Sequence, residues 1–99
     1  MVVQAQVWVA IEHAAGQRDL ANLLISNVSA SCGISPYTWP VDVAANEPTD
    51  ITFHGVFMQR PFAAVAGAYT FYFNGVMNLG QSAGDQFYYA NLQAVFYPS

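Results

Sequence analysis

The sequence predicts an all-β fold: a single β-sandwich, jelly-roll or Greek-key like, of six or seven antiparallel strands with at most one short helix. Three observations point there. Several segments alternate apolar and polar residues with a period of two, the mark of a half-buried strand. Clusters of Gly, Pro, Asn, Asp and Ser separate them at short spacing. No internal repeat of about 20–50 residues is present, which excludes solenoids and propellers. At 99 residues and 55% hydrophobic, the chain suits one domain over 1–99 with one core, and disorder is excluded.

The first strand is the clearest. Val3, Ala5, Val7, Val9 and Ile11 share one face, and Gln4, Gln6, Trp8, Ala10 and Glu12 share the other. The stretch Arg18 to Val28 is ambiguous: Leu20, Leu23, Leu24 and Val28 fit a helical stripe behind Asp19, whereas Ile25 to Ser31 favours a strand after a short helical turn. Cys32 to Pro36 reads as a connection. Tyr37 to Ala44 sets Trp39, Val41 and Val43 against Thr38, Pro40 and Asp42, with Trp39 assigned to the core. Pro40 has no amide to donate, so this strand lies at an edge or carries a bulge.

Asn46 to Asp50 is a turn by composition. Ile51 to Met58 alternates Ile51, Phe53, Gly55 and Phe57 against Thr52, His54, Val56 and Met58. Gln59 to Gly67 reads as a loop, and Ala68 to Met77 as a strand with Tyr69, Phe71, Phe73 and Gly75 opposed to Thr70, Tyr72, Asn74 and Val76. A polar turn over Asn78 to Gln86 follows, in which Gly80 to Gly84 reads as a hairpin loop. The last strand, Phe87 to Tyr97, places Tyr88, Ala90, Leu92, Ala94 and Phe96 on one face. Phe87, Tyr89, Asn91, Gln93, Val95 and Tyr97 fall on the other.

Charge is scarce: 8% of residues are charged, against roughly 25% in an ordinary soluble domain. The net charge of −4 and the absence of lysine argue against nucleic acid, whose binders carry a basic stripe. No run approaches the ~18 apolar residues of a membrane helix, so no membrane insertion is expected, and no signal peptide is visible at Met1 to Gln6. The outward faces are rich in amides and hydroxyls, with aromatics set among them. Trp8, Tyr72, Phe87, Tyr89 and Tyr97 are the candidate interface residues, because interface cores are enriched in aromatics and depleted in Lys and Glu.

No chemistry stands out. Glu12 and His13 are adjacent and point to opposite faces, and neither His-x-His nor a Cys pair occurs, so no metal and no cofactor is expected. Asp42, Asp50 and Asp85 sit at strand ends or turns, where Asp serves the backbone; a hydrolase would need two of them in one cleft. The lone Cys32 reads as a structural thiol, and His54 as a cross-strand or interface hydrogen-bonder. Asn27-Val28-Ser29 matches a glycosylation sequon, but modification is not expected without a leader. Trp8, on the glutamine face, is either an interface anchor or a platform for a sugar ring.

The segment Gly67 to Phe73 resembles the penultimate strand of jelly-roll head domains of the C1q and tumour-necrosis-factor type. Ala90 to Pro98 is similar to the last strand of small β domains in phage tail, fibre and capsid-decoration proteins. The resemblance covers under a third of the chain and implies symmetric assembly on a particle surface. The expectation is a non-enzymatic structural protein that assembles with itself or coats a larger particle, a virion or other extracellular assembly. A carbohydrate- or receptor-binding module is the alternative.

Overall fold

A computed structural model of the chain describes residues 1–63 and 69–95. Among these residues six strands, β1 (Val2–His13), β2 (Asp19–Ser26), β3 (Trp39–Val43), β4 (Asp50–Pro61), β5 (Tyr72–Leu79) and β6 (Gln86–Val95), follow in sequence. They form two three-stranded antiparallel sheets, ordered β4-β1-β6 and β3-β2-β5. The chain is all-β, a small sandwich with no helix among the described residues. Only β2 and β3 are consecutive partners, so the other connections cross between sheets. Gly80 to Gly84 is one of these crossings, not a hairpin loop.

The core lies where the alternation in β1 puts it. Val3, Val7, Val9 and Ile11 meet Ala21, Leu23 and Ile25 of β2, Val41 and Val43 of β3, and Val56 and Met58 of β4. Each Val, Leu, Ile or Met side chain so removed from water stabilises the fold by about 1.5–3 kcal/mol. Trp39 shares the face of Val41 and Val43 and pairs with Leu23, yet it is 48% exposed. It opens a five-residue edge strand, with too little structure beyond it to bury an indole. Pro40 does stand in an edge strand, as its missing amide requires.

β2 differs from its expected form. It begins at Asp19 and ends at Ser26, and nothing helical precedes it. Ala21, Leu23 and Ile25 face the core, while Asn22, Leu24 and Ser26 on the other side are equally buried. The connection after β2 covers them: the Cys32 thiol donates to the Asn22 carbonyl at 3.1 Å, and Asn74 Nδ2 donates to the carbonyls of Val28 and Ser31 at 3.1 and 2.8 Å. Burial pushes the Cys32 thiol pKa up, in keeping with a structural thiol. The outer side of β2 from Asn22 to Ser26 is thus covered by the chain's own loop.

The two ends of the sandwich differ. β1 ends, and β2 begins, where His13 Nδ1 lies 2.5 Å from Asp19 Oδ2, while His13 Nε2 donates to the Glu47 carbonyl at 3.1 Å. Both ring nitrogens therefore face oxygen. Gly80, at φ +73°, lies so close to Asp19 that any Cβ would overlap the carboxylate. At the same end Asp85 accepts from Glu12 N at 2.9 Å and Ser82 N at 2.6 Å, and Ser82 Oγ donates to Glu12 at 2.8 Å. Asp42 and Arg18 form a forked ion pair there at 2.9 and 2.7 Å, which holds the Asp42 carboxyl below its usual range. Asp50, opposite His13, completes the set. All six Asp and Glu residues lie at this end, and Arg60 lies at the other.

Candidate functional site

Among the described residues, nothing covers the outer face of the first sheet. Opposed residues on antiparallel strands share a face, so the register lays out this surface in rows. Gln4 lies between Gln59 and Gln93, and Gln6 between Phe57 and Asn91. Trp8 lies between Gly55 and Tyr88, and Ala10 between Phe53 and Gln86. Glu12, at the end, is the only carboxylate in these rows and there is no cation. Trp8 is 48% exposed, Phe53 62%, Phe57 57% and Tyr89 79%.

Glycine at position 55 makes room for the indole. Trp8 lies across the strand over Gly55, with its ring carbons 3.5 Å from where a Cβ would stand. The absent side chain lets the ring lie down on β4 instead of standing off it. A groove of about 350 Å³ runs beside it, lined by Gln6, Trp8, Gly55, Phe57 and Tyr89. An apolar hollow of about 220 Å³ adjoins it between Trp8, Phe53, Tyr88 and Tyr89. The rings of Tyr88 and Tyr89 meet edge to face at 5.0 Å.

A β-bulge explains which aromatics reach this surface. The pairing of β1 with β6 shifts between Gln6 and Trp8, and Tyr89 takes φ +54°, in the left-handed region. An extra residue there breaks the strict alternation. Beyond it, Tyr88 pairs with Trp8 on the outer face and Phe87 pairs with Val9 on the inner one. The expected faces of these two residues are thereby exchanged. Phe87 turns its ring toward β5, where its Cζ lies 3.3 Å from the Cβ position of Gly75.

Of the candidate interface residues, the structure brings Trp8 and Tyr89 together. Tyr72 is elsewhere: it pairs with Ser26 on the second sheet and is half-buried. Tyr97 lies outside the described residues. Phe53, Phe57 and Tyr88 join the site without having been singled out by sequence. The signal for the two phenylalanines was the register of Gly55 against Trp8, which puts the odd-numbered residues of β4 on the tryptophan side.

The remaining polar groups have local partners. His54 Nε2 lies 2.9 Å from Thr52 Oγ1 of its own strand rather than across strands, and burial lowers its pKa. Asp50 Oδ1 accepts from Ile51 N at 2.8 Å. Among the described residues no three His, Cys, Asp or Glu side chains gather to hold a metal ion. Arg60 differs: its guanidinium stacks on Tyr37 at 4.6 Å and Phe62 at 4.8 Å, and Nη1 donates to the Ile25 carbonyl at 2.7 Å. Its Nε is buried without a hydrogen-bond partner, and no carboxylate pairs with it among the described residues. No protein-family model, characterised protein or solved structure matches this chain.

Proposed function

We propose that this chain is a non-enzymatic structural protein that assembles through the outer face of its first sheet, with itself or on a larger particle. One observation carries the reading: the central strand of one sheet is covered on its outer side by the chain's own loop, while the other sheet bares Trp8, Phe53, Phe57 and Tyr89 in rows with a single carboxylate. Such contiguous aromatic surface marks a partner site. The resemblance to phage tail and decoration domains supports a virion as the particle. Sedimentation at micromolar concentration, alone and with particles, tests it: Phe57→Ala should weaken association by about 2 kcal/mol, in the hot-spot range, and leave the circular dichroism intact. A monomer that binds no particle would end the reading.

The groove favours a second reading, a glycan-binding module. The Trp8 indole offers a stacking platform, and the Gln6 side chain beside it supplies hydrogen bonds. Titration of a Trp39→Phe variant with abundant polysaccharides would then quench Trp8 fluorescence; an unchanged signal removes this alternative.

A further inference from the structure

We infer that a second copy of this chain pairs along the free edge of β4, antiparallel and with its two-fold axis at Gly55, joining two first sheets into one of six strands. The inference rests on the reading of this sheet as an assembly surface and says how two copies meet there. Edge strands invite pairing unless they are short, charged, bulged or broken by proline. Of the other three edges, β3 is five residues long and holds Pro40, β6 is bulged at Tyr89, and β5 shifts register between Met77 and Leu79. Between its ends β4 has none of these defences. It pairs with β1 through twelve consecutive residues without a register shift, and no Lys, Arg, Asp, Glu or Pro stands between Asp50 and Arg60.

The hydrogen-bonding direction of the edge is also set. Glu12 N donates toward the β6 side, to Asp85, and Ile51, its partner on β4, donates to the Asp50 side chain. Amides of residues 51, 53, 55, 57 and 59 therefore point away from β1, to the free edge, by the alternation of an antiparallel strand. A partner strand must oppose odd residues to odd ones.

Centring the axis on Gly55 does this and matches the side chains. Phe53 opposes Phe57 of the second copy, so the two most exposed phenylalanines among the described residues cover each other on both sides of the axis. Asp50 opposes Arg60, the guanidinium that pairs with no carboxylate among the described residues. The two-fold forms that ion pair twice. A parallel arrangement would set Asp50 beside Asp50 and Arg60 beside Arg60.

Two measurements test the register. In sedimentation equilibrium, D50R and R60D should each dimerise at least about tenfold more weakly than the native chain, and an equimolar mixture should recover most of the loss, because the mixed pair restores both opposite charges. In mild oxidation, G55C should form a covalent dimer, since directly opposed residues stand about 5.5 Å apart between Cα atoms, within disulfide reach. F57C alone should not, because its two copies would lie about 14 Å apart along the strands. A chain that is monomeric at every concentration overturns the inference. A dimer that G55C does not trap, or that F57C traps as readily, also overturns it and leaves the outer-face reading standing, since that reading is judged by Phe57→Ala and by particle binding.

Discussion

Replacing Tyr89 separates backbone geometry from side-chain contact. Its side chain is 79% exposed, and substitution at such a surface position usually changes stability by less than about 0.5 kcal/mol. Its φ of +54° predicts otherwise, because the left-handed region costs an ordinary L residue roughly 1–2 kcal/mol. Asn enters that region readily, whereas a branched Cβ is a genuine outlier there. Both Tyr89→Asn and Tyr89→Val discard the same ring. About one fifth of its ~200 Å² is covered, and ~40 Å² at ~25 cal/mol per Å² gives about 1 kcal/mol of lost burial in each. That loss cancels in the comparison. The Val variant should therefore be about 1–2 kcal/mol less stable than the Asn variant, with a midpoint lower by about 4–8 °C for each kcal/mol. Urea and thermal unfolding followed by circular dichroism would measure it. Equal stability of the two variants would refute the bulge as the cause of the exchanged faces of Phe87 and Tyr88.

Asp19→Ala should destabilise the domain by about 3 kcal/mol, because it strands the His13 Nδ1 position without its buried partner; chemical denaturation would show it as a lower midpoint. Gly80→Ala should cost at least as much, since the new Cβ overlaps Asp19 and φ is +73°, and soluble yield with thermal melting would report it. Burial holds the His54 imidazole below its usual 6.5, so the unfolded chain takes up that proton first. Stability should be full above about pH 6.5 and fall as pH drops through the lower folded value. In His54→Gln the urea midpoint should lose less between about pH 7.5 and about pH 5.

The strands that alternate were legible in the sequence wherever one side met water. β1 is the clear case, since its buried Val3, Val7, Val9 and Ile11 stand against Gln4, Gln6 and Trp8. β2 was ambiguous because both its sides are buried: Leu24 and Asn22 are covered by the loop that follows, and a strand covered twice loses its period. In β4 the two faces were separable but not their direction. The row with Ile51, Phe53 and Phe57 is the more apolar, yet it points outward, and Val56 and Met58 point in. Local pattern records which residues share a face, while direction follows from the pairing with β1. The bulge at Tyr89 was hidden because nothing at Tyr88-Tyr89-Ala90 signals a left-handed residue: no Gly or Asn stands there. Trp8 and Tyr89 were therefore found as site residues, and Tyr88 was missed.

The gathering of all six Asp and Glu residues at one end of a body about 50 Å long and 20 Å wide makes the strand direction an electrical axis. A single copy near a charged surface is turned before it touches, because the field acts on its two ends differently. Two copies joined antiparallel along β4 would set their axes side by side in opposite directions, and the dipole components along the strands would cancel. Association would then change how the protein orients in a field: a monomer aligns, and the pair tumbles freely. Electric birefringence at low salt, where the screening length reaches about 30 Å, would register this as a signal that fades with rising protein concentration.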